Sequence, residues 1–466
     1  MRERRVGRGE RSKTPYIGKS YRAILSVCLP MAVQSFMLSL VSATDAVMLG
    51  FVDQTSLSAV SLAAQIQFVQ SLFVLGISGG MGILLAQYWG KGDRAMIARI
   101  IPISLRANLL CGILFMAAAF AVPAFLMRLL TNDPALIAAG ADYLEMAALS
   151  YFFCAVSQVY LAVLKNTGRE KISSVISSTA VIINIIGNGV FIFGLFGLPA
   201  MGIRGAALAT VLARVVETVW SWAETLRPGR VRVVWRRLPV FEKEISRRFW
   251  RYTLPLLGAF LVWGIAFTLY SVIMGHLGSD AVAANAITGI ARNLVGCMIR
   301  GLGSGAAIIV GNLLGANRLE AARQTGNRML VMGIVLGVLS GLILLLASPV
   351  ILRFMDLTPQ ASRYLKAMLI ICSINIVFQA FNITAIDGMF CAGGDSRFDM
   401  ESNVCAMWCF SVPLGFLAAF VFKWPVIAVY ALISLDEIVK IPAIIRHYLR
   451  YKWVRNLTVP DDKKEI

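Results

Sequence analysis

Residues 29–50 read LPMAVQSFMLSLVSATDAVMLG, an almost wholly apolar run with a single carboxylate, Asp45. As a helix it is long enough to cross a bilayer. Ser35, Ser39, Ser42 and Asp45 follow at spacings of four, three and three, which sets them on one helical stripe. A charge at the centre of a membrane helix costs about 2.5–3.5 kcal/mol on insertion scales, so such a group is expected to face a cavity or a partner. Asp45 stands about five residues from the end of the run, which leaves two readings open: a helix-end carboxylate in water, or an inward-facing site. The serine stripe favours the second.

The rest of the chain supports a membrane reading. Of its 466 residues 58% are hydrophobic and 15% charged, whereas soluble chains carry about 45–50% apolar and about 25% charged residues. Twelve apolar segments follow one another, near 24–49, 58–87, 98–126, 136–163, 173–196, 203–226, 252–275, 282–311, 328–351, 364–391, 400–422 and 425–446. The net charge of +19 comes from loops. The termini and the loops after segments 2, 4, 6 and 8 hold about thirty of the 44 basic residues, the opposite loops about six. This predicts both termini in the cytoplasm, with contacts to anionic lipid headgroups and none to nucleic acid. Cys405 and Cys409 share a helical face, which reads as packing rather than metal binding, and two histidines leave little scope for metal or catalytic chemistry.

The chain repeats itself. LP at 29–30 recurs at 254–255, VMLG at 47–50 as VIMG at 272–275, and AQYWGKGDRAMIAR at 86–99 as GNLLGANRLEAAR at 311–323, all near an offset of 225. Six segments per copy is an even number, so the copies are parallel, related by an axis along the membrane normal. The expected class is an all-α polytopic protein of twelve transmembrane helices in two parallel-repeat six-helix bundles. Its expected divisions are a basic cytosolic arm at 1–22, lobes at 23–226 and 251–448, an interfacial basic and aromatic linker at 227–250, and a cytosolic tail at 449–466.

The stretch NIIGNGVFIFGLFGLPAMGIRGAALATVLA (184–213), with TDAVMLG of the first helix and CAGGDSRF at 391–398, resembles the multidrug and toxic compound extrusion (MATE) transporters. The resemblance spans roughly 25–450. It implies two six-helix bundles in a V, alternating access, and export of organic cations or other amphipaths in exchange for Na⁺ or H⁺, without a cofactor and without enzyme activity. Carried over by position, it implies a cation-coupling site at Asp45, Asn184, Asn188 and Thr210. The residues agree: Asn184 and Asn188 are four apart and share a polar stripe with Ser174 and Ser177. One carboxylate with amide and hydroxyl oxygens suits a hard monovalent cation. The same asparagines also suit plain interhelical hydrogen bonding.

The second half departs from one branch of the family, because AFLVWGIAF (259–267) has no acid where that branch places a glutamate. Coupling is therefore expected in the first lobe. The candidates for the substrate cavity are Gln34, Asn285, Arg292, Asn375, Gln379 and Asn382, with Asp387 as a packing or gating residue. Arg214 with Glu217, and Glu437 with Lys440, are three apart and expected to pair. The leading expectation is a monomeric, multi-pass antiporter of the cell membrane that exports amphipathic, cationic small molecules. The alternative is a lipid-linked sugar or precursor flippase of the same superfamily, which would call for a more cationic central cavity.

Overall fold

The computed structural model describes residues 20–233, 235–238, 242–355 and 357–459. Most of the basic arm, residues 1–19, and the last part of the tail, residues 460–466, lie outside them. Among the described residues the chain forms twelve membrane-length helical segments. In the first half these are α1 (Tyr21–Gly50), α2 (Gln54–Lys91), α3 (Arg94–Ala121), α4 (Pro134–Asn166), α5 (Glu170–Phe193) and α6 (Ile203–Thr225). In the second half α7 (Lys243–His276) is followed by α8 in two pieces (Ser279–Val295, Cys297–Gly315) and α9 (Leu319–Phe354). Then come α10 (Pro359–Asn382, continuing as a π-helix to Phe390), α11 (from Ser396 to Val421) and α12 in three pieces (Val426–Ile433, Asp436–Val439, Ile441–Leu449).

Ten of the twelve segments are long and apolar enough to cross a membrane on those grounds alone. The exceptions have visible causes: α6 carries Arg204, Arg214, Glu217 and Glu224, and α12 is interrupted on either side of Asp436–Val439. Local sequence fixes several helix starts. The Asp53 carboxylate accepts the Ser56 amide at 2.6 Å, Asp93 that of Met96 at 3.0 Å, and Asp133 that of Ala135 at 2.9 Å. These are N-caps that satisfy otherwise unpaired donors.

The two halves use one plan. In the first, α4 packs on α2, α3 and α6, α5 on α1 and α6, and α2 on α1 and α3. In the second, α10 packs on α8, α9 and α12, α11 on α7 and α12, and α8 on α7 and α9. The halves meet through α1 against α8, α2 against α7, and α2 against α8. The contacts themselves repeat. Gly76 abuts Leu257 as Gly301 abuts Ala32, and Gly90 abuts Asn312 as Gly315 abuts Gln87, each member 225 residues from its counterpart. A Cβ on Gly301 would come within 2.6 Å of the Ala32 backbone, so the helices touch main chain to main chain. These approaches run from mid-membrane to the end where the described chain begins and finishes, here called the terminal face.

Three features differ from expectation. The described part of 227–242 contains only a short 3₁₀ turn, Trp235–Arg237, and the basic and aromatic residues from Lys243 onward form the first turns of α7, with Phe249 buried. The tail is not a loose appendage as far as Val459: Trp453 is fully buried and Leu457 is buried against the first half. Cys405 and Cys409 are exposed rather than packed.

Candidate functional site

A cavity of about 480 Å³ lies within the first half, between α1, α2, α4, α5 and α6. Its polar wall includes Asp45, Gln67, Tyr143, Asn184, Thr210 and Glu217. Helical spacing explains the α1 contribution: Leu38, Val41, Asp45 and Leu49 line one face. Ser39 does not share it. Its hydroxyl donates to the Ser35 carbonyl at 3.0 Å and receives Arg300 Nη2 of α8 at 3.4 Å, while the Ser42 side chain lies outside the described residues. Asp45 thus turns inward beside leucine and valine, while Ser39 turns toward α8.

Asn188 Nδ2 donates to Asp45 Oδ1 at 2.5 Å, and Asn184 Nδ2 donates to Thr210 Oγ1 at 3.2 Å. Thr210 in turn donates to the Ala206 carbonyl at 3.0 Å, and Tyr143 reaches Thr210 from α4. The four residues expected as a cation site therefore stand together. Both amides spend their N–H groups on these bonds, which leaves Asn184 Oδ1 and Asn188 Oδ1 buried without a hydrogen-bond partner. A buried acceptor left unmade costs about 1–3 kcal/mol. Two such oxygens beside one carboxylate form a donor set suited to a small hard cation. Among the described residues no group of three His, Cys, Asp or Glu side chains is placed to hold a metal ion.

Glu217 is the acid whose surroundings sequence reasoning missed. It pairs with Arg214 at 2.8 Å as the spacing predicts, but it also accepts Ser157 Oγ and Ser177 Oγ, each at 2.8 Å. Gln34 belongs to this network, donating to Ser177 Oγ at 3.0 Å. The signal was available in part, since Thr210, Arg214 and Glu217 follow at helical spacing on α6.

The other expected cavity residues divide. Asn285 and Gln379 are half-buried, and Arg292 lies over the Phe267 ring at 5.6 Å, a cation–π contact within its own half. Asn375 is turned to α12, donating to the Ser434 carbonyl. Asn382 likewise donates to Glu437, at 2.7 Å to its carbonyl and 2.6 Å to its carboxylate. Glu437 and Lys440 do pair, at 3.8 Å, and Lys440 is within electrostatic reach of Asp387, Asp399 and Asp436 as well.

Two parallel six-helix halves, closed on one another at one face and holding Asp45 and the arginine-paired Glu217 in an internal cavity of the first half, define a membrane transporter of the repeat-built secondary class. A model of the MatE family matches residues 30–190 and 255–417, one stretch in each half, and the chain belongs to that family. Among its relatives, the uncharacterized transporter YisQ of Bacillus subtilis is 20% identical over 433 residues, covering 93% of this chain and 95% of the relative. The probable multidrug resistance protein NorM of Mesorhizobium japonicum is 25% identical, covering 97% of each. The fold is that of a MOP superfamily transporter from Pyrococcus furiosus, with a TM-score of 0.85 at 17% identity over 94% of this chain and 97% of that one. It equally matches an outward-facing multidrug resistance MATE transporter, with a TM-score of 0.85 and 17% identity over 94% and 96%.

Proposed function

We propose that the protein is a cation-coupled antiporter, taking Na⁺ or H⁺, that exports amphipathic, cationic small molecules across the cell membrane by alternating access. In this reading the terminal face is cytoplasmic, the chain works as a monomer, and the sealed seam corresponds to the outward-facing state. The observation that carries it is the Asp45 site, where one carboxylate meets two buried amide oxygens that lack partners. Names of relatives that refer to multidrug resistance support the substrate class.

Asp45 would exchange its coupling ion with the cavity, and Asn184, Asn188 and Thr210 would supply the remaining oxygens. Coupling needs only that the ion bind more tightly in one of the two arrangements of the halves than in the other. Substrate would enter between the halves once the seam opens. The test is efflux of a fluorescent organic cation from proteoliposomes under an imposed Na⁺ gradient and, separately, a pH gradient. One of the two should drive efflux against concentration. Transport driven by neither removes the antiporter reading.

A further inference from the structure

The two-fold plan is broken at one place on the terminal face. Gln87 and Asn312 are counterparts, each backing onto a glycine of the other half. Around Gln87 the tail fills the space: Gln87 Nε2 donates to the Ala392 and Arg455 carbonyls at 2.7 and 3.1 Å, and Gln87 Oε1 accepts the Leu457 amide at 2.6 Å. Trp453 is fully buried there against Gly326 and Gly393. Around Asn312 the corresponding stretch is the linker, Arg227-Pro228-Gly229-Arg230-Val231, which has no aromatic side chain to offer. A cavity of about 800 Å³ results, lined by the α2–α3, α4–α5 and α8–α9 turns, the linker and the tail. Asn312, in its wall, keeps Oδ1 buried and without a partner.

The chemistry of the wall is one-sided. Lys91, Arg94, Arg169, Arg230 and Arg318 line the cavity, and among the described residues no carboxylate does. Arg230 is neutralised by Glu224, which lies behind it. Among the described residues the other four make no salt bridge; Lys91 donates to the Thr458 carbonyl at 3.1 Å and Arg94 stacks over Trp89 at 5.4 Å. A preference for basic loops on one side of a membrane explains cations in these turns. It does not explain their convergence on one void from both halves, where they repel one another unless an anion joins them.

We propose that this cavity binds a phosphate group, gripped by Lys91, Arg94, Arg169 and Arg318, with the Asn312 amide oxygen accepting a neighbouring hydroxyl of the same ligand. Its volume is within the range of about 300–1,000 Å³ usual for small-molecule sites. Charged donors of this kind favour phosphate oxygens. Because the walls come from both halves, a bound phosphate favours the arrangement in which the terminal face is closed. The ligand can be a phospholipid headgroup or a soluble phosphate ester, since both present the same oxygens.

The experiment uses the full chain and reads its thermal unfolding midpoint, which rises when a ligand binds the folded state. One arm titrates inorganic pyrophosphate into detergent-solubilised protein; the other compares nanodiscs of phosphatidylcholine with and without phosphatidylglycerol. A saturable rise in either arm is expected, and Arg169→Gln or Arg318→Gln, both at exposed positions, should each weaken it about tenfold. A rise with phosphatidylglycerol, with or without one for pyrophosphate, identifies an anionic headgroup, and a rise with pyrophosphate alone identifies a soluble phosphate compound. No rise in either arm, or one that both arginine variants leave unchanged, overturns the proposal. Pyrophosphate binding seen only after Asp461→Asn with Asp462→Asn would make the chain's own tail the occupant and also overturns it. Asp45→Asn should leave this binding intact, so the transport reading and the phosphate site fail separately.

Discussion

In the first half each acid within the bundle has its own company: Asp45 has an amide, Glu217 an arginine and two hydroxyls, and Glu224 two arginines. In the second half Asp387, Asp399, Asp436 and Glu437 share Lys440. The helix pairings are the same, so the difference lies in side chains and in the local breaks of α8 and α12. An acid pinned by a guanidinium and hydroxyls is saturated and holds helices together. An acid met only by an amide, with unmade carbonyl oxygens around it, is open to a cation. Acids gathered round one lysine hold charge collectively, and none of them can be altered without affecting the rest.

The largest expected effect tests that division directly. Asp45→Asn should bring ion-driven efflux in proteoliposomes down to the leak rate, about a hundredfold or more, while Asp399→Asn keeps most of it. Equal loss in both would show that the halves share the coupling task. Next, Lys440→Met leaves the second-half acids uncompensated and should lower stability by about 3–5 kcal/mol, read as a fall in the thermal midpoint. A comparable fall for Asn188→Ala would erase the contrast. Asn184→Ala or Asn188→Ala should instead raise the concentration of driving ion needed for half-maximal efflux about tenfold.

The smallest effect concerns caps. Asp53 caps α2, whereas its counterpart Gly278, before α8, offers no side chain. Hydrogen bonds from Ser56 hold the Asp53 carboxyl below its ordinary range. A depressed carboxyl contributes stability above its unfolded pKa of about 3.9 and loses it as pH falls through the lower folded value. Protection of the Ser56 amide, taken relative to its intrinsic exchange rate at each pH, should therefore hold at neutral pH and fall only in acid below that range. At Ala281, in α8, no such acid step is expected.

Much of this was legible beforehand. The apolar runs, the even helix count and the recurring LP and VMLG-type signatures carried the architecture, because membrane helices must satisfy their backbones within themselves. The cluster of Asp45, Asn184, Asn188 and Thr210 was also readable, although the reason given for the orientation of Asp45 was not the operative one. Ser39 turns to Arg300 of the other half, and the acid shares its face with Leu38 and Val41. Spacing fixes which residues share a face; it does not fix how each helix is rotated about its axis. That is why the bonds of Asn375 and Asn382 to α12 could not be read from the stripe they share. The folded tail was hidden for a related reason, since Trp453 finds its pocket among Gly326 and Gly393, residues far away in sequence.

The seam has an ancestry written into it. Gly76 on Leu257, Gly80 on Thr253 and Gly90 on Asn312 recur with roles exchanged as Gly301 on Ala32, Gly305 on Cys28 and Gly315 on Gln87, and Ala86 meets Gly311, its own counterpart, on the axis. That is the contact pattern of an isologous interface, the kind by which two identical subunits form a closed dimer. The covalent linker then adds proximity to a surface already self-complementary. Two six-helix fragments expressed as separate polypeptides should find each other through the same glycines.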